Sequence, residues 1–105
     1  MTKEQVPQMI RYMNLPFAYD HFAEGESPDP PFLVYLYPGS DNFAADGSVY
    51  FKQDKLHIEL YTDKKDPALE DRVEATINAH GLFYNKSETW IPSENLYEVL
   101  YQMEV

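Results

Sequence analysis

The chain has 105 residues and a formal net charge of −10, from 18 acidic and 8 basic residues. This length suits one domain, residues 1–105, with a single core. The hydrophobic share of 44% is too high for a disordered chain. The longest basic run is Lys64-Lys65, so we expect no direct contact with nucleic-acid phosphates. The absence of cysteine excludes disulfides, thiol catalysis and thiolate metal ligands.

The N-terminal segment bears on localisation. It lacks the apolar run and the small-residue cleavage site of a signal peptide. No stretch of the sequence approaches the roughly 20 apolar residues of a membrane span. We therefore expect a cytoplasmic protein without membrane contacts.

The first predicted element is a helix over residues 3–14. Its apolar residues repeat at the spacing of one helix face: Val6, Met9, Ile10 and Met13. Thr2 and Gln5, three residues apart, resemble a capping box. Pro7 predicts that the helix starts a residue or two later or bends there, since proline lacks an N–H.

A proline-rich loop and a strand follow. Residues 15–31 hold four prolines and predict a loop that is extended and exposed in its second half. Residues 32–37 predict a strand that is apolar on both faces. One face would carry Phe32, Val34 and Leu36, and the other would carry Leu33, Tyr35 and Tyr37. Such a strand is either covered on both sides within the chain or covered on one side by a neighbouring subunit.

Residues 38–47 are rich in turn formers, and Asp46-Gly47 is a strong hairpin signal. The next strand alternates clearly. Leu56, Ile58 and Leu60 would face inward, while Lys55, His57, Glu59 and Tyr61 would face outward. We predict that this strand pairs with residues 32–37 as an antiparallel hairpin with a long, exposed tip.

The charged run at residues 63–66 precedes a second helix. Asp66 suits the N-cap, Pro67 suits the first helical position, and Gly81 suits a left-handed end. The buried face would carry Leu69, Val73, Ile77 and His80. We therefore interpret the charged run as a structural corner and not as a reactive site.

Two segments complete the chain. Residues 82–91 predict a strand that ends at Pro92. Residues 94–105 fit a strand or a helix, and the enrichment in Tyr and Val favours the strand. The predicted order is α-β-β-α-β-β, an α+β domain with an antiparallel sheet of about four strands.

The sequence offers no sign of catalysis. The three histidines lack metal-ligand spacing, no serine lies in a nucleophile elbow, and the four glycines form no phosphate loop. We expect no enzyme, no cofactor and no metal. Phe43 would either fold onto the core or insert into a partner. The candidate interface residues are Asp41, Asn42, Phe43 and Asp46 in the loop, with Tyr35 and Tyr37 before it.

Residues 35–77 and 83–105 contain distinctive blocks. Their signatures are Asp41-Asn42-Phe43-x-Ala45-Asp46, the run from Glu59 to Asp66, and the stretch from Glu88 to Tyr97. In these blocks the chain resembles small phage and prophage structural proteins of Gram-positive hosts, encoded between the capsid and major tail genes. The resemblance implies similarity to tail terminators and tail-completion proteins, small α+β subunits that form a ring, often a hexamer, at the head-proximal end of the tail tube.

The first hypothesis is therefore a tail terminator or head–tail joining subunit. Its implied partners are further copies of itself and the tail tube or head–tail connector proteins. It would lie in the host cytoplasm during assembly, and in the virion if the phage is functional. The alternative is a phage-encoded acidic module that inhibits a host protein by imitating DNA. Its acids should form a regular array, whereas basic residues interrupt the acids here.

Overall fold

The computed structural model of the chain describes residues 1–45 and 48–105, with the backbone alone at 42–45 and 48–51. Across these residues the chain forms two helices and six strands. They are α1 (Gln5–Arg11), β1 (Phe17–Tyr19), β2 (Phe32–Leu36), β3 (Ser40–Ala45), β4 (Ser48–Thr62), α2 (Pro67–Ala79), β5 (Tyr84–Ile91) and β6 (Leu96–Glu104). The α+β class is as predicted. Neither described helix is long and apolar enough to cross a membrane.

The sheet differs from the prediction of about four antiparallel strands. Its order is β1-β2-β4-β6-β5, with β3 paired to β4. β1 runs parallel to β2, and the other pairs are antiparallel, so the sheet is mixed. The two added strands come from segments predicted as loops, residues 15–31 and 38–47. β1 is too short to show alternation, and β3 is imposed on turn-forming residues by its pairing with the long β4.

Both helices pack on one face of the sheet, which gives two layers with the core between them. The helices contribute Val6, Met9, Ile10, Met13, Leu69, Val73 and Ile77. The strands contribute Leu33, Leu56, Ile58, Leu60, Val99, Tyr101 and Met103. The inward-facing set predicted for β4 is therefore confirmed.

The first helix is shorter than the predicted 3–14. The two hydrogen bonds expected between Thr2 and Gln5 are present: the Thr2 N–H donates to Gln5 Oε1 at 2.8 Å, and the Gln5 N–H donates to Thr2 Oγ1 at 3.3 Å. They close the turn before the helix, whose N-cap residue, Glu4, makes no side-chain capping bond. The helix begins at Gln5, the later start that Pro7 indicated. Pro7 thus lies in the first turn, where a missing N–H removes no bond within the helix.

The second helix has the predicted ends. Asp66 Oδ1 accepts a hydrogen bond from the Leu69 N–H at 3.1 Å, and Gly81 has the left-handed φ of +71°. His80 does not belong to the buried face as predicted. It is exposed because the helix ends there, and its Nδ1 lies 2.9 Å from the carbonyl oxygen of Thr76.

The last segment is the strand β6. The strand interpretation of residues 94–105 is therefore confirmed, and the helix interpretation is wrong. The predicted antiparallel pairing of β2 with β4 is confirmed, with Leu33 opposite Leu60. The predicted turn at Asp46-Gly47 lies outside the described residues. The pairing of β3 with β4 makes the hairpin longer than the sequence indicated.

Candidate protein-interaction surface

The sheet has a second face, which lies away from both helices. Strand alternation and register place nine residues there in a grid of three rows across β2, β4 and β6. The rows are Phe32-Tyr61-Glu98, Val34-Glu59-Leu100 and Leu36-His57-Gln102. We call these nine residues the uncovered face.

The uncovered face is apolar at β2 and becomes polar toward β6. Phe32 and Val34 are buried, with Val34 only 4% exposed. The Phe32 ring stacks on the Tyr61 ring with centroids 5.2 Å apart, and Phe22 from the preceding loop packs edge-on against Phe32 at 5.3 Å. Leu36 is half-buried. An apolar area with a polar border is the usual composition of a protein-interaction site.

Two carboxylates lie within this surface. The Tyr61 hydroxyl donates to Glu59 Oε1 at 2.8 Å. Burial raises the pKa of Glu98, and the nearby charge of Glu59 raises it further, although a hydrogen bond with Tyr61 acts in the opposite direction. Burial and the bond to Glu59 likewise hold the pKa of Tyr61 above its ordinary value. The face therefore holds like charges in a partly desolvated setting, where a partner's cation would be favourable.

Metal chemistry finds no support within the described part of the chain. No three histidine or carboxylate side chains there are placed to hold a metal ion. The three histidines are far apart in the fold. His21 pairs with Asp20 at 2.9 Å, and His57 Nε2 lies 3.4 Å from Gln102 Nε2 on the uncovered face.

Tyr35 and Tyr37, two of the predicted interface residues, are half-buried on the helix side of the sheet. They form an aromatic cluster with Tyr19, whose ring centroid lies 5.2 Å from that of Tyr35 and 6.1 Å from that of Tyr37. The Tyr37 backbone N–H donates to the Tyr19 hydroxyl at 3.3 Å. Burial, together with Tyr35 and nearby carboxylates, raises the pKa of Tyr37.

Three of the other predicted interface residues, Asp41, Asn42 and Phe43, belong to β3. Asp41 Oδ1 lies 3.6 Å from Lys55 Nζ. A hydrogen bond with Glu104, and then Lys55, lowers the pKa of Asp41, and the same bond raises the pKa of Glu104. The side chains of Asn42 and Phe43, and all of Asp46, lie outside the described residues. An interface role for these six residues stays a prediction.

The sequence analysis missed Glu98 and Leu100 as surface candidates. Both follow from the strand reading of residues 94–105, which puts Val99 and Tyr101 in the core and their neighbours on the opposite face. Glu59 was placed outward by the alternation of β4. Its position opposite Leu100 depends on the pairing of β4 with β6, which the sequence alone did not give.

A second polar cluster lies between α2 and the strands β5 and β6. Glu70 accepts from Lys65 at 2.6 Å and from Lys86 at 2.9 Å. Glu74 accepts from Lys86 at 2.8 Å and from the Tyr101 hydroxyl at 2.8 Å. We call these residues the ion-pair network.

The ion-pair network fixes α2 on the sheet. Burial alone would raise the pKa of Glu70, but hydrogen bonds from Lys65 and Lys86 outweigh it and hold that pKa below its usual value. Desolvation of Lys86 is likewise outweighed by Glu70 and Glu74, so its pKa is raised. Lys65 also contacts Glu88 on β5. Each charged group of the network contacts a group of opposite charge, and Lys65 of the charged run thus has a structural role.

The fold and the uncovered face describe an α+β chain with one sheet face that the helices do not cover. No protein-family model matches the sequence, and no curated protein matches it either.

Proposed function

We propose that this protein is a phage or prophage virion assembly protein, a tail terminator or head–tail joining subunit. It acts by oligomerisation and protein–protein contacts and not by catalysis. The observation that carries the proposal is the uncovered face. Its accessible apolar part consists of half-buried Leu36, Tyr61 and Leu100, a composition that suits burial against another subunit. Phe32 and Val34 are already buried within the chain itself.

The β3–β4 hairpin gives the subunit a second surface. Residues 55–62 of β4 pair with β6 in the main sheet, whereas residues 48–54 belong to the pairing with β3. Seven residues of strand extend about 23 Å, in a molecule whose dimensions are 50 × 29 × 23 Å. A joining subunit must contact neighbours in the ring and also the tube or the connector. A sheet face and a separate hairpin supply two such surfaces.

The charge of the chain favours protein partners over nucleic acid. A net charge of −10 repels phosphates and attracts basic protein surfaces. The proposed partners are further copies of the chain and the tail tube or head–tail connector proteins. The proposed location is the host cytoplasm during assembly, and the virion when the phage is functional.

Two experiments test the proposal. Light scattering at high concentration, with and without the tail tube protein, should show association. A strict monomer under both conditions would contradict the proposal. Deletion of the gene from its phage should prevent head–tail joining, and the intact gene should restore it. Normal virions from the deleted phage would instead favour the acidic inhibitor of a host protein.

A further inference from the structure

The helix side of the molecule carries an open groove of about 800 Å³ between α1 and the end of α2. Its lining includes Gln5, Gln8, Arg11, Tyr12, His80 and Leu82. The Tyr12 ring lies 6.3 Å from the His80 ring, and Tyr12 is 73% exposed. We call this surface the α1 groove. A large exposed aromatic beside an arginine is the composition of an interface anchor.

The α1 groove and the uncovered face differ in charge. Among the described residues, those that line the groove are neutral or basic, and Arg11 is its cation. This contrasts with the strong negative charge of the whole chain. The uncovered face carries Glu59 and Glu98 in an apolar frame, where burial and the charge of Glu59 disfavour the charged form of Glu98. The two surfaces are therefore complementary in charge, and both offer aromatic or aliphatic contact.

Symmetric pairing of two uncovered faces would be unfavourable. In a twofold contact the same patch meets itself, so Glu59 and Glu98 would approach their own copies. Like charges brought together in a desolvated interface are costly. Contact between the uncovered face and the α1 groove avoids this repulsion, since Arg11 would meet the carboxylates.

We propose that the uncovered face of one copy binds the α1 groove of a second copy in a head-to-tail contact. This inference rests on the proposed function, since it specifies how the subunits of the ring meet. The groove belongs to the helix layer, and the uncovered face is on the opposite side of the sheet. In a bound pair, one copy thus keeps its groove free and the other keeps its uncovered face free, and such contacts close into rings when the rotation between subunits permits.

The contact between one pair is small. The nine residues of the uncovered face span roughly 15 × 15 Å, which is little beside the ~800 Å² that each partner buries in a standard interface. Association of two copies should therefore be weak, and ring closure, in which every subunit makes two contacts, should strengthen it. The pure chain should associate reversibly in sedimentation velocity as its concentration approaches the solubility limit.

Two variants separate head-to-tail contact from symmetric contact. Leu100→Lys puts a cation on the uncovered face and leaves the groove intact. The fold should accept it because the new ammonium group would lie opposite Glu59 across the β4–β6 pair. Arg11→Glu reverses the charge of the groove and leaves the uncovered face intact. Each variant alone should be monomeric where the wild type associates, and an equimolar mixture should form a one-to-one dimer.

The mixture forms because each variant retains the surface that the other lacks. Lys64→Glu and Ala68→Lys are the matched controls, since they make the same charge changes at exposed positions outside both surfaces. Both should associate like the wild type. Tyr12→Ala is a second groove variant, to be used if Arg11→Glu fails to fold in circular dichroism.

The possible outcomes are distinct. Wild-type association of a folded Arg11→Glu or Tyr12→Ala would overturn the inference and leave the proposed function standing. So would a mixture of Leu100→Lys and Arg11→Glu that stays monomeric at a concentration where the wild type forms dimers. A wild type that is monomeric alone also overturns the inference. If it is monomeric with the tail tube protein as well, the proposed function fails too. A ring that forms through these surfaces in a phage whose assembly does not need the gene would refute the function alone.

Discussion

Replacing Glu70 by glutamine tests whether the ion-pair network holds α2 on the sheet. The Glu70 side chain is 3% exposed and accepts from Lys65 and Lys86 at 2.6 and 2.9 Å. An amide has one acceptor oxygen, and its NH₂ group would face one of the two ammonium groups, so one charge-assisted hydrogen bond is lost. Such a bond contributes about 1.5–3 kcal/mol. Both lysines reach solvent and have a second carboxylate, so we expect the lower end, about 1.5 kcal/mol, or roughly 6 °C in Tm.

Guanidinium denaturation of both chains at a series of pH values measures this effect. The folded-state pKa of Glu70 is depressed below its ordinary value, because hydrogen bonds from Lys65 and Lys86 outweigh the effect of burial. Its stabilisation is therefore fully present above the unfolded-state pKa and is lost as pH falls through the folded-state pKa. The difference in stability between the two chains should therefore shrink as the pH falls through that window. Glu88→Gln is the control, since Glu88 is 39% exposed and should contribute less than about 0.5 kcal/mol. An equal loss from both variants, or none from Glu70→Gln, would refute the reasoning.

Three further predictions follow from single side chains. Asp66→Ala removes the acceptor that lies 3.1 Å from the Leu69 N–H; denaturation should show a loss of about 1 kcal/mol, with phage assembly intact in a stabilised background. Glu98→Gln should raise the stability of the free chain at neutral pH by up to about 0.5 kcal/mol, because the raised pKa of Glu98 means that folding disfavours its charge. The gain should vanish below the unfolded-state pKa, where both chains are neutral at this position, and a loss at neutral pH would contradict it. Phe43→Ala should leave Tm nearly unchanged and abolish head–tail joining in complementation, whereas a large drop in Tm would put Phe43 in the core.

The parts of the fold that were predicted are those with local signals. The alternation of Leu56, Ile58 and Leu60 needs only one buried face to be recognised. The ends of α2 depend on Asp66 and on the left-handed Gly81, both of which act within a few residues of the chain.

The sequence analysis did not predict β1 and β3. The partner of β1 is distant in sequence, and β3 contains residues that disfavour strands. β1 has three residues after Pro16, and its pairing places Phe17 beside Leu33. The Leu33 N–H also donates to the Pro16 carbonyl at 2.8 Å. Nothing within residues 15–31 specifies that contact. β3 contains residues typical of turns, and its hydrogen bonds come from a β4 that is long enough to extend past the main sheet.

The ion-pair network could not be predicted either, because its members come from elements that are distant in sequence. Lys86 is on β5, and it reaches Glu70 and Glu74 only because α2 lies over that part of the sheet. The chain has nine tyrosines, and one of them, Tyr101, is fully buried and donates to Glu74 at 2.8 Å. The hydroxyl group of a tyrosine in the core needs a hydrogen-bond partner, which can come from another element. Composition does not reveal which tyrosines have such a partner.

The carboxylates of the uncovered face connect stability with assembly. A leucine in place of Glu98 would complete an apolar area with Leu100 and Phe32, and such an area would bind itself as readily as a partner. Glu98 lowers the stability of the free chain, since burial and the nearby charge of Glu59 disfavour its charged form. In the proposed assembly the same two charges act against symmetric pairing, and they become favourable only when a basic surface covers them. The chain would thus give up a small amount of stability as a monomer and gain a direction of assembly, which a closed ring of identical subunits requires.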